Sequence, residues 1–195
     1  MVSIRLAIFA SGAGTTAQAV IDACAAGRIE GQVVLVLANN ADAPVLERAA
    51  AAAIPWRHLS SRTHPDPAAL EQAMMDALGE AGVTHVLLAG YMKKLGPRVV
   101  AAYAGRLYNT HPALLPAYGG RGMYGDRVHA AVLADGRTRS GATVHLVTDD
   151  YDEGPIVAAA EVPVLADDDV ASLRERVRQA ERELVVEVLA GVARS

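Results

Sequence analysis

The chain has 195 residues, 52% of them apolar, a net charge of −4 and one cysteine, Cys24. That length fits one domain with its own core, expected over residues 1–195, and one thiol builds neither a disulfide framework nor a thiolate cluster. Without a long basic run nucleic acid is not an expected partner, and no apolar run nears the roughly 18 residues of a membrane span, so no membrane is expected and the cytoplasm is the expected address.

The opening IRLAIFA (Ile4–Ala10) reads as a buried strand rather than a secretory leader, because Arg5 interrupts it and a glycine loop follows. Ala17–Gly27 predicts a helix closed by glycine, Gln32–Asn39 a second strand, and the alanine-rich stretch from about Ala43 to Ala53 a helix. PWRHLS offers a short third strand. Asp66–Gly82 carries an N-cap, a proline in its first turn and a terminal glycine, which is helix punctuation. Thr84–Gly90 predicts a strand, Gly96–Gly105 a short helix and RLYNTH the next strand. This alternation argues for a parallel sheet with helices on both faces. A glycine-rich loop, AYGGRGMYGD, then leads to a helix around Val128–Leu133. Strands at Ser140–Thr148 and Gly154–Val164 and a last amphipathic helix, Val170 to about Leu189, complete the chain.

The loop FASGAGTT joins the first strand to the first helix. Its glycines allow backbone N–H groups to approach an anion, and the helix dipole favours negative charge there. The spacing lacks the third glycine of a dinucleotide loop and the GK[ST] of a Walker loop, so a single phosphate fits best. Gly12, Gly14, Thr15 and Thr16 are the candidate contacts. A plain strand-to-helix turn with Thr15 as N-cap explains the same residues equally well.

Asn109 and His111 fall two apart in a predicted strand, so they share a face. Alone they read as a satisfied core network or a surface turn. At the C-terminal end of a parallel strand they read as a ligand site. His145 in ATVHLVT and the acidic turn TDDYDEGP, with Asp149, Asp150, Asp152 and Glu153, supply further groups. An amide, an imidazole and a carboxylate form no obvious nucleophile set, but they suit stabilising a reaction between two bound substrates. The histidines are too dispersed for a metal site, so no metal is expected.

SGAGTT, LLAGYMKKL, NTHPALLP and VHLVTDDYDEGP, in that order across the chain, resemble the folate-dependent phosphoribosylglycinamide formyltransferase family. The N-x-H-P-x-L-L-P string by itself marks the wider formyltransferase fold; the short glycine loop, the D-x-G-P turn and the bare length narrow it. The related methionyl-tRNA formyltransferases and formyltetrahydrofolate deformylases would carry an additional domain, for which this length leaves no room. The resemblance implies an α/β, single-domain, Rossmann-like formyltransferase fold. Its central sheet would be mostly parallel, with helices on both faces and an antiparallel C-terminal part.

The implied reaction moves the formyl group of the co-substrate 10-formyltetrahydrofolate to the amine of glycinamide ribonucleotide. By the same resemblance Asn109 and His111 would hold the oxyanion, and Asp152 would keep His111 cationic, with His145 in support. Gly14, Thr15 and Thr16 would hold the phosphate, Gly90 would line the adjacent floor, and Arg178 and Glu181 would contact the ribonucleotide. Thr16 and Arg178 depart from the asparagine and glutamine of the family pattern. The folate would lie along Tyr91, Met92, Lys93, Lys94 and Leu95, beside Asn109, wrapped by Val147, Thr148, Asp149, Asp150, Tyr151 and Asp152. The long Tyr118–Asp126 loop reads as a mobile flap or a harmless insertion. Acylation of another amine, such as an amino sugar, and a non-catalytic folate-binding module are the competing expectations. A homodimer is left open.

Overall fold

A computed structural model describes residues 3–194; Met1, Val2 and Ser195 of the expected domain lie outside the described residues. In chain order the elements are β1 (Ile4–Ala10), α1 (Thr15–Ala25), β2 (Gly31–Ala38), α2 (Pro44–Ala51), β3 (Trp56–His58), α3 (Pro67–Glu80) and β4 (His85–Leu88). Next come α4 (Pro97–Ala102), β5 (Leu107–His111), α5 (Asp126–Ala134), β6 (Arg139–Leu146), β7 (Ile156–Pro163) and α6 (Val170–Arg194). The strands form one sheet in the order β3-β2-β1-β4-β5-β6-β7. Pairing is parallel from β3 through β5, while β5–β6 and β6–β7 are antiparallel. The expected mostly parallel sheet with an antiparallel C-terminal part is what the chain builds.

Central strand β1 shows why an unbroken apolar run belongs here. Leu6 and Ile8 face one hydrophobic layer with residues of α1, α2 and α6, whereas Ala7 and Phe9 face a second layer with residues of α3 and α4. A strand covered on both faces needs apolar side chains at both parities. Among the described residues no helix is long and apolar enough to cross a membrane.

Several boundaries differ from the sequence reading. Helix α1 begins at Thr15, two residues before the expected Ala17, with Gly14 as its N-cap at φ 69°. Thr15 is therefore the first helical residue and no side chain caps this end, which removes the expectation of a threonine cap. A Cβ at Gly14 would run into the Val45 side chain, so both conformation and space call for glycine. The third strand shrinks to Trp56–His58, and α6 continues beyond Leu189 to Arg194 because Ala190 and Ala193 are buried.

Because β1 lies between β2 and β4, the chain turns to opposite sides of the sheet at this point. A crevice opens beyond the carboxyl ends of the strands at such a switch. The segments after β1, after β4 and at the end of β5 all project there.

Across the sheet, α6 is tied to both α1 and β5 by one carboxylate. Glu181 Oε1 accepts hydrogen bonds from Thr16 Oγ1 at 3.2 Å and Thr110 Oγ1 at 2.7 Å. Burial pushes the Glu181 carboxyl up, and the two hydroxyls oppose that shift only in part. A raised carboxyl favours the folded state fully below its unfolded pKa, and that contribution is lost as pH rises through the folded value. The stability gap between Glu181→Gln and the parent should therefore shift in favour of glutamine from pH 4.5 to 8, read from thermal melts; a gap that stays constant contradicts it. At the start of α3, Asp66 accepts from the N–H groups of Ala68 and Ala69 at 3.2 and 3.3 Å. Asp66→Ala should cost about 1 kcal/mol in chemical denaturation and leave ligand binding unchanged.

Candidate active site

Strand pairing assembles the polar centre. In the antiparallel β5–β6 ladder Asn109 lies opposite His145 and His111 opposite Thr143. Side chains alternate along β5, so Thr110, between Asn109 and His111, turns the other way to reach Glu181. The turn after β6 brings in Asp152, whose backbone sits in the left-handed region at φ 57°. Asp152 Oδ2 lies 3.5 Å from His111 Nδ1, and its Oδ1 lies 3.5 Å from both His145 Nε2 and Asn109 Nδ2. Gly120 N–H donates to Asp152 Oδ2 at 2.9 Å.

The carbonyl partners of the two imidazoles fix where their protons sit, because a carbonyl can only accept. His145 Nδ1 donates to the Leu146 carbonyl at 2.9 Å, leaving Nε2 to accept from Asn109 Nδ2 at 3.0 Å. One amide hydrogen of Asn109 is thereby used, and the second has only a long contact to Asp152. His111 Nε2 donates to the Tyr118 carbonyl at 2.7 Å. Burial alone would raise the Asp152 carboxyl, but the nearby His145 and His111 rings and the Gly120 N–H hold it below its ordinary value. Burial pushes the His111 imidazole down, against the pull of Asp152 and the Tyr118 carbonyl, with His145 adding to the push. Burial and the Asp152 carboxylate thus act on the His111 imidazole in opposite directions, burial the more strongly.

These groups line a cleft of about 920 Å³, near the upper end for small-molecule sites. Every candidate site residue read from the sequence lines it, except Glu153 of the acidic turn. On one side are the glycine loop, Gly90, Arg178 and Glu181. The α1 end there leaves its first N–H groups without a side-chain cap, which is a suitable environment for an anion. Thr16 contributes differently from expectation, since its buried hydroxyl donates to Glu181 and only its backbone remains for a ligand. Arg178 and Glu181 form no ion pair: Glu181 is buried on the hydroxyls and Arg178 is exposed.

On the other side Tyr91 packs edge-on against Phe9 at 5.4 Å, and burial pushes its phenol up to about 12. Met92, Lys93 and Lys94 are exposed, whereas Leu95 is buried in the second core layer and backs the wall. Lys94 Nζ lies 5.5 Å from the centre of the Tyr151 ring, bridging the two predicted folate segments.

Some lining residues were not among the candidates read from the sequence. Gly120 to Gly125 border the cleft, and Gly120 holds Asp152, so the long loop is built into the site rather than being an inert insertion. His129 is 2% exposed, and its Nδ1 is buried without a partner. Arg174 bonds Asp126 through Nη1 at 2.9 Å, while its buried Nε also lacks a partner. Unsatisfied buried polar atoms beside a cleft are unusual and suit a ligand that completes them. Burial, aided by Arg178, Arg174 and His111 against Asp126, brings His129 down to about 4. The helical position of His129 resembles an ordinary core histidine, and only tertiary packing distinguishes it.

The chain is similar to known proteins over nearly its whole length. The sequence pattern of the formyl transferase family matches residues 4–189. The phosphoribosylglycinamide formyltransferase of Escherichia coli (strain K12) is 38% identical over 178 residues, 91% of this chain and 82% of that protein. The chloroplastic phosphoribosylglycinamide formyltransferase of Arabidopsis thaliana is 39% identical over 96% of this chain, which spans 65% of that relative's length. Among solved structures, glycinamide ribonucleotide transformylase 1 from Symbiobacterium toebii superposes with a TM-score of 0.91 at 38% identity, covering 98% of this chain and 88% of that one. With its sheet order, its cleft and these similarities, the chain belongs to the formyl transferase family.

Proposed function

We propose that this chain transfers the formyl group of 10-formyltetrahydrofolate to the amine of N1-(5-phosphoribosyl)glycinamide, giving the formylated ribonucleotide and tetrahydrofolate on the route to IMP. The observation that carries the reading is the meeting of Asn109, His111 and Asp152 within 3.5 Å contacts inside one cleft. The names of the similar proteins point to the same substrates.

In this reading the ribonucleotide takes the glycine-loop side, with its phosphate on the α1 N-terminus and facing Arg178, His129 and Arg174. The folate takes the Tyr91–Leu95 and Val147–Asp152 side. The amine nitrogen attacks the formyl carbon; a C–N bond forms and the carbonyl pair moves to oxygen. The free amide hydrogen of Asn109 stabilises that oxyanion. The nitrogen, now cationic, releases a proton to His111 Nδ1, and Asp152 stabilises the resulting imidazolium. His111 returns the proton to N10 of the folate as the C–N10 bond breaks and the carbonyl re-forms. Only positioning, charge stabilisation and proton transfer are required, so the lack of a protein nucleophile fits.

Mixing the chain with the ribonucleotide and a 10-formylfolate should release deformylated folate, read by absorbance. Turnover only with an amino sugar, or binding without turnover, would reject the reading. Asp152→Asn and His111→Ala should each lower kcat by roughly 10²- to 10⁴-fold with thermal melts preserved. Near-parental turnover removes that residue from the chemistry. Arg178→Ala should raise KM for the ribonucleotide about threefold to tenfold and leave KM for folate unchanged; an unchanged ribonucleotide KM takes Arg178 out of the phosphate site.

A further inference from the structure

Tyr118 stands outside the roles assigned above, yet it is the residue whose backbone touches His111. Its carbonyl accepts from His111 Nε2 at 2.7 Å. To aim that carbonyl at the ring, Tyr118 adopts φ 57°, a left-handed conformation uncommon for a residue with a bulky side chain. Glycine follows at positions 119 and 120, so the chain has residues at hand that accept this conformation without resistance. A tyrosine at 118 therefore needs a reason, and its side chain gives one. The phenol donates to Asp135 Oδ2 at 2.7 Å and accepts from Arg137 Nε at 3.0 Å. The Arg137 guanidinium also lies 6.0 Å from the centre of the ring. Asp135 and Arg137 belong to the connection between α5 and β6, so the ring is fastened at its far end to a different segment from the one carrying its backbone.

We infer that Tyr118, anchored through its phenol by Asp135 and Arg137, is the positioning residue that confines one proton to His111 Nε2 and leaves Nδ1 as the reactive ring nitrogen. The argument is one of donors and acceptors. An imidazole with Nε2 against a carbonyl keeps hydrogen on Nε2 in both its neutral and its charged form. In the neutral form the lone pair is then on Nδ1, the nitrogen that lies 3.5 Å from Asp152 and in the proposed transfer takes the proton of the cationic amine. The other tautomer would place the lone pair against the carbonyl oxygen and turn an N–H toward Asp152, giving a ring that cannot accept. The anchor prevents that exchange by holding the peptide of Tyr118 in an orientation it would not adopt unaided.

The kinetic consequence rests on the proposed formyl transfer, whereas the tautomer does not, so two measurements separate the readings. The first records long-range ¹H–¹⁵N spectra of the histidine rings in the intact, ligand-free chain, with His111 assigned by difference from His111→Ala. The parent should show a neutral His111 as the Nε2–H tautomer alone. Tyr118→Phe, which deletes only the anchoring hydroxyl, should show exchange between both tautomers, and so should Asp135→Ala. The second measurement is turnover of the ribonucleotide, or of whichever amine the parent accepts. Tyr118→Phe should lose roughly tenfold to thirtyfold in kcat, with KM for both substrates within about twofold of the parent. A parent His111 in the Nδ1–H tautomer overturns the inference, and so does Tyr118→Phe with an unchanged tautomer, whatever its kcat. A kcat loss that tracks a lower melting temperature, with the ring spectrum unmoved, identifies a structural tyrosine instead. Failure of the parent to formylate any amine refutes the proposed function and leaves the spectral result to decide the role of Tyr118.

Discussion

The arrangement of the site depends on the environment of one carboxylate. Asp152 is brought back over the sheet by a left-handed turn, faces two imidazoles and receives a backbone N–H from the opposite loop. In a half-buried position an acid would ordinarily drift toward its neutral form. Here the surrounding donors and rings win, and the charge persists where water is scarce. That fixed charge orders the neighbourhood: it gives a buried imidazole somewhere to place a proton, and it gives the amide beside it a reason to face the cleft.

The geometry beneath this is secondary-structure arithmetic. Only because β6 runs antiparallel to β5 does His145 sit across from Asn109, and only because side chains alternate does Thr110 serve α6 while its neighbours serve the cleft. The parallel half of the sheet supplies the glycine loop and the wall after β4, and the antiparallel half supplies the second histidine and the acid. The switch in direction at β5 thus brings the uncapped end of α1 and the Asn109–His111–His145–Asp152 cluster to the same rim.

Much of this was legible in the chain before folding was considered. Apolar runs located the strands, Asp66 with Pro67 marked the start of α3, and the quoted motifs pointed to the residues that line the cleft. The misreadings share a cause: each concerned a side chain whose partner is remote in sequence. Thr16 looked free to meet a ligand, yet its hydroxyl is taken by Glu181, 165 positions away. His129 and Arg174 gave no local sign, since a buried ring or guanidinium nitrogen left without a hydrogen-bond partner is a property of the packed interior. For His111 the sequence showed only the carboxylate neighbour, whereas the burial that opposes it comes from the whole surrounding structure.

Gly120 and Asp152 lie on separate loops of the cleft, and an N–H to carboxylate contact joins them. Displacing either loop would cost a partly buried charge one of its donors, so the bond gives both loops a shared fixed point.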